Sequence, residues 1–141
     1  MKKQALIGVE QKIVEICLSV YRDLQAIYLF GSFGTEHERQ DSDSDIAILF
    51  HPTFSVSATK FLLLISKLSD ELQKTIDLIN LQEAGSILQK EIVCKGKRIY
   101  ASNELDVGNY ETFIMRQYQM FTEERKAIVE DGFIKGRFYG T

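Results

Sequence analysis

The chain has 141 residues, a net charge of −3 and a pI near 5.4, with 45% hydrophobic and 26% charged residues. That length suits one globular domain spanning residues 1–141, and Leu, Ile, Val and Phe supply 45 of the residues, enough apolar material for a core. The acidic balance excludes a protein that holds duplex nucleic acid through general phosphate attraction. Apolar runs such as Ile46–Phe50 and Phe61–Ile65 reach only five residues, against the roughly 18 that a membrane helix needs. The start, Met1-Lys2-Lys3 before Ala5–Val9, is broken by Glu10 before a secretory core forms, so a cytoplasmic protein without a membrane partner is expected. Cys17 and Cys94 stand apart from each other and from His37 and His51, which predicts reduced, packed thiols and histidines that serve as loop residues.

In chain order, Ile13, Ile16, Cys17, Val20 and Leu24 recur at helical spacing within residues 5–25, with Glu10, Lys12, Glu15, Arg22 and Asp23 assigned to the polar face. Ala26–Phe30 reads as a short strand ended by Gly31-Ser32, and residues 34–45 as a polar, acidic loop. Ile46–Phe50 is a second buried strand, stopped by Pro52, the sole proline. Phe61, Leu64, Ile65, Leu68 and Leu72 predict a helix over residues 57–74, and Thr75–Asn80 a strand with one carboxylate, Asp77, inside it. A helix from about Leu81 to Cys94, a turn at Lys95-Gly96-Lys97 and a strand at Arg98–Tyr100 follow. Tyr110, Phe113, Ile114, Tyr118, Phe121, Ile128 and Val129 predict one face of a long helix within residues 104–134. The expected fold is α/β (α+β): a small mixed sheet flanked by helices, with a core over about 10–101 and a C-terminal helical extension over about 104–135.

The chemistry concentrates between Leu29 and Phe50. Asp43 and Asp45, two residues apart at the mouth of a strand, share a face, with Cα atoms about 6.5–7 Å apart; Asp41 and Asp43 are a second possible pair at the same spacing. Carboxylates that close repel unless one is protonated or a hard cation such as Mg²⁺ lies between them. Gly31-Ser32 allows close backbone approach to a phosphate and adds a hydroxyl. Asp77, in an apolar strand, is a carboxylate whose burial a metal would explain. Three acids on adjacent strands beside a Gly-Ser turn are the parts of two-metal phosphoryl transfer.

These residues resemble a known family. Gly31-Ser32, ten intervening residues and then Asp43-x-Asp45, with a third acid in the context Ile76-Asp77-Leu78-Ile79-Asn80, is similar to the minimal nucleotidyltransferases of the DNA polymerase beta-like superfamily. The resemblance covers about residues 10–101. It implies a nucleotidyltransferase fold and transfer of a nucleoside monophosphate from an Mg-bound nucleoside triphosphate, with two Mg²⁺ ions as cofactors. Asp43, Asp45 and Asp77 would be the metal-binding catalytic acids, and Gly31 and Ser32 the nucleotide-binding pair. Many relatives carry a basic residue after the Gly-Ser and a glycine four positions after the serine, where this chain has Phe33 and Glu36, with Gly34 instead. That departure leaves Arg39, Lys90 and Arg98 as candidate partners of the triphosphate.

Stand-alone members of this size resemble the MntA-like antitoxins of HEPN/MNT toxin–antitoxin pairs. The resemblance implies transfer of AMP to a tyrosine of a HEPN ribonuclease toxin, the expected protein partner. Two alternatives are a non-catalytic antitoxin that binds stoichiometrically through its C-terminal helix, and a small-molecule nucleotidyltransferase of the aminoglycoside-modifying type.

Overall fold

The computed structural model describes residues 8–30, 44–117 and 119. Helix α1 (Gly8–Val20) leads into strand β1 (Ala26–Phe30), and β2 (Ser44–Leu49) returns beside it. Helix α2 (Ala58–Leu72), strand β3 (Ile76–Asn80), a 3₁₀ turn (Leu81–Glu83), helix α3 (Ser86–Lys95) and strand β4 (Lys97–Ala101) follow. A last helix, α4, covers residues 104–117. The sheet order is β3-β2-β1-β4, with β2 antiparallel to β1, β4 antiparallel to β1, and β3 parallel to β2. The architecture is the expected mixed α/β one.

Strand alternation divides the core in two. Ile27, Leu29, Ile46, Ile48, Ile76, Leu78 and Ile99 face α1 and α2, where Ile13, Cys17, Leu64 and Leu68 are fully buried. Ala26, Tyr28, Ala47 and Leu49 face the other way, onto Leu81, Ile92 of α3 and Val107 of α4. Both layers are needed, because a sheet with two apolar faces must be covered on both.

Local chemistry sets the element ends. Ser57 caps α2 through its hydroxyl, which accepts from the Lys60 N–H. Gln73 ends it at φ 55°, a left-handed conformation in which its N–H donates to the Ser69 carbonyl. The stretch expected as one helix from Leu81 to Cys94 is split. Asn80 accepts from the Gln82 N–H and closes a short 3₁₀ turn, which buries Leu81, and extended Gly85 then restarts the chain as α3.

Gly96 sits where α3 meets β1. A Cβ there would lie 2.5 Å from the Ile92 carbonyl oxygen and 2.9 Å from that of Leu29, both backbone atoms. Glycine is what allows α3 to end against the strand.

Four further expectations need correction. Glu10, assigned to the polar face of α1, is 5% exposed and lies on the buried stripe with Ile13, Val14 and Cys17. Phe113 is 55% exposed, whereas α4 turns Val107, Tyr110, Glu111 and Ile114 inward. Cys94 is an exposed thiol, while Cys17 is packed as expected. Asp77 is exposed rather than buried, because alternation turns it away from the layer that buries Ile76 and Leu78. The expected helix beyond residue 119 lies outside the described residues.

Candidate active site

The site is built at one end of the sheet. In the parallel pair, Asp45 of β2 stands directly opposite Asp77 of β3, and in the antiparallel pair it stands opposite Phe30, the last residue of β1. Neighbouring strands are about 4.8 Å apart, and in-register residues send side chains to the same side. The flanking pairs identify that side. Ile46 and Leu78 belong to the α1/α2 layer, while Ala47, Ile79 and Phe30 belong to the other. The two carboxylates therefore share the face covered further along by α3 and α4.

Exposure fits a site open to a ligand, with Asp77 exposed and Asp45 partly buried. No hydrogen bond or ion pair among the described residues engages the Asp77 carboxylate. Gly31, Ser32 and Asp43 lie outside the described residues, as does Arg39. Among the described residues, β1 ends at Phe30, which pairs with Asp45, and β2 begins at Ser44.

The other cation candidates are partly committed. Arg98 donates from Nη1 to Glu111 Oε2 at 3.0 Å and from Nη2 to Glu104 Oε1 at 2.6 Å, which gives it a structural duty instead of a free phosphate-binding one. Lys90 stands 3.7 Å from Glu91. His51 is an exposed loop residue, as expected, whose Nδ1 lies 2.9 Å from Thr53 Oγ1.

Two polar clusters escaped the sequence reading. Lys97, at the start of β4, donates to the buried Glu10 carboxylate at 2.6 Å and ties α1 to the sheet. On the opposite face the Tyr28 hydroxyl donates to Glu111 Oε2 at 2.6 Å, the same oxygen that Arg98 meets. Burial, then the Glu111 hydrogen bond and charge, push the Tyr28 hydroxyl well above the usual tyrosine range. Burial first and the Glu111 charge second push Tyr110 up to about 12. A signal for both acids was present: Glu10 and Glu111 interrupt apolar stripes at the i, i+3, i+4 spacing.

Two acids in register on adjacent strands of a mixed four-stranded sheet are in keeping with a nucleotidyltransferase fold. The chain belongs to the polymerase beta nucleotidyltransferase family, whose model matches residues 11–105.

Among individual proteins, it is 33% identical over 125 residues to the protein adenylyltransferase MntA of Shewanella oneidensis strain MR-1, a match covering 86% of each chain. A crystal structure of a toxin–antitoxin with AMP-PNP contains a chain 30% identical with a TM-score of 0.72, the match covering 88% of this chain and 98% of that one. A structure of tri-AMPylated Shewanella oneidensis HEPN toxin in complex with MNT antitoxin has a chain 29% identical with a TM-score of 0.68, covering 89% of this chain and 96% of that one.

Proposed function

We propose that this chain is an antitoxin nucleotidyltransferase that transfers AMP from Mg-ATP to a tyrosine of a cognate HEPN ribonuclease toxin. The observation that carries the reading is the Asp45–Asp77 register on the open face beside the end of β1. The relatives lend it direction, since one is named a protein adenylyltransferase and another was solved with an AMPylated HEPN toxin.

In this reading the acceptor oxygen attacks the α-phosphorus and a P–O bond forms. The bond from that phosphorus to the bridging oxygen breaks, pyrophosphate leaves, and the hydroxyl proton passes to a carboxylate. Gly31 and Ser32, at the end of β1, hold the β- and γ-phosphate oxygens through backbone N–H groups and a hydroxyl. Asp43, Asp45 and Asp77 would supply the oxygen donors for two Mg²⁺ ions, a chemistry that suits this hard cation. When bound, the ions neutralise charge on the triphosphate and lower the acceptor's pKa. Asp77 is the carboxylate assigned to help take the acceptor's proton. A nucleotide on the toxin's tyrosine adds charge and bulk that exclude RNA.

The test mixes the purified chain with its HEPN partner, Mg²⁺ and ATP labelled at the α-phosphate, in parallel with an Asp43→Ala, Asp45→Ala double variant. Label on the partner with wild type only is the expected result. No label, with the toxin still bound and silenced, would instead make the chain a stoichiometric antitoxin.

A further inference from the structure

Helix α4 follows a path that bears on the site. At its start the Ser102 N–H donates to the Gln25 carbonyl, next to the beginning of β1. One turn on, Val107 is fully buried in the cluster with Ala26 and Tyr28. Glu111 then meets Tyr28 midway along β1, and Ile114 is buried a turn later. The helix thus advances along β1 in the direction of Phe30, the residue paired with Asp45.

What fixes its position is a polar hub. Glu111 Oε2 accepts from the Tyr28 hydroxyl on β1 and from Arg98 on β4, and Arg98 reaches back to Glu104 in the first turn of α4. Apolar packing at Val107 and Ile114 is non-directional and tolerates rotation or sliding of a helix. A charge-assisted carboxylate shared by two strands is directional, and specifying register is the best-attested use of such partly buried charge.

We propose that Glu111 is a positioning residue for the transfer reaction, holding α4 along β1 so that its far end lies toward Phe30, the partner of Asp45, as a surface against which the protein acceptor seats. This role rests on the proposed adenylyltransferase activity. Glu111 touches neither the nucleotide nor the reacting atoms. It acts through α4, so its loss is felt in acceptor binding and not in nucleotide binding.

The experiment is steady-state labelling of the HEPN partner by wild type, Glu111→Gln and Tyr28→Phe, with ATP and partner varied separately, alongside hydrogen exchange of residues 107–117. Glutamine keeps the volume and an acceptor oxygen, so folding is preserved, and Tyr28→Phe breaks the hub from its other end. The expected result is a KM for the partner about tenfold higher in Glu111→Gln, KM for ATP within about twofold, and faster exchange confined to α4. An unchanged partner KM with α4 loosened would overturn the role. So would a shift of kcat and both KM values together with exchange accelerated across the sheet, which marks a merely structural residue. Wild type that labels nothing would overturn the activity itself, and this role with it, before any variant is compared.

Discussion

Asp45 and Asp77 occupy opposed positions on adjacent parallel strands, on one face of the sheet, where β1 ends at Phe30. Two ionised side chains in neighbouring register positions destabilise a sheet by about 0.2–1 kcal/mol. A cation bound between the two carboxylates would reverse the sign of that repulsion.

The first prediction separates the site from the scaffold. In metal-free buffer, Asp77→Asn should be as stable as wild type or more stable by about 0.2–1 kcal/mol, because it removes like-charge repulsion from an exposed position. Adding Mg²⁺ should reverse the order. Wild type gains about 1.4 kcal/mol at tenfold over its Kd, while the variant gains less. Transfer activity should fall by about 100-fold or more in the variant. Thermal melts across a Mg²⁺ series check the stability half, and equal Mg²⁺ responses in the two proteins would remove Asp77 from the metal set.

Much of this was readable in the residues. Gly31-Ser32 ends an apolar run and so delimits β1 at Ala26–Phe30, and the sequence places Asp45 and Asp77 on strands that prove adjacent. Less readable were features that depend on what a second element brings. Helical spacing alone places Glu10 on the stripe of Ile13 and Cys17, yet a carboxylate there looks like polar punctuation until Lys97 arrives from β4. Asp77 misled in the opposite sense. Its apolar neighbours suggested burial, but a five-residue strand with Ile76 and Leu78 inward must turn residue 77 outward. The aromatic stripe of α4 failed at Phe113 because the residues that meet the sheet, at 107, 110, 111 and 114, include an acid that pattern reading passes over.

The Glu10–Lys97 pair yields a second prediction. Glu10 has a side chain 6% exposed and Lys97 one 59% exposed, so removing the lysine strands a buried carboxylate, whereas removing both charges strands nothing. Lys97→Met should cost about 1–3 kcal/mol. The double variant Glu10→Leu, Lys97→Met, which leaves no buried polar side chain unpaired, should recover most of that loss. Urea unfolding of the four proteins forms the cycle, and additive effects would mean that the two residues do not act as a pair.

Gly96 provides a third. A methyl group at this position meets two backbone carbonyl oxygens, of Ile92 and Leu29, and neither can move without displacing α3 or β1. Gly96→Ala should therefore destabilise by about 1–3 kcal/mol, in the range of an overpacked core. Gly85→Ala, where nothing lies within 4 Å of the added atom, should cost far less. Comparing the two in one denaturation series isolates steric contact from the general effect of losing a glycine.

The thiols differ in the same physical sense. Burial holds the Cys17 thiol protonated, pushed up to about 12, while Cys94 is exposed. Folded protein should react with one equivalent of a thiol reagent at neutral pH, and Cys94→Ser with none until it is unfolded. A second fast-reacting group in folded wild type would contradict the packing around α1.

Tyr110 carries the pH dependence. Its hydroxyl is buried with no hydrogen-bond partner among the described residues, and burial with the neighbouring Glu111 charge raises it to about 12 from an ordinary value of 10.0. Below pH 10 the phenol is protonated in both folded and unfolded chains, so its contribution is fully present. Between 10 and about 12 the unfolded chain releases the proton first, and stability falls by about 1.4 kcal/mol per pH unit for this group. Tyr28 and Cys17 shift in the same direction and steepen the decline. Tyr110→Phe removes both the titration and an unsatisfied hydroxyl. It should match or exceed wild type at pH 8 and lead by a widening margin toward pH 11, measured as unfolding free energy in urea. Parallel curves for the two proteins across that range would show that Tyr110 ionises as readily folded as unfolded, and that α4 does not seal it against the sheet.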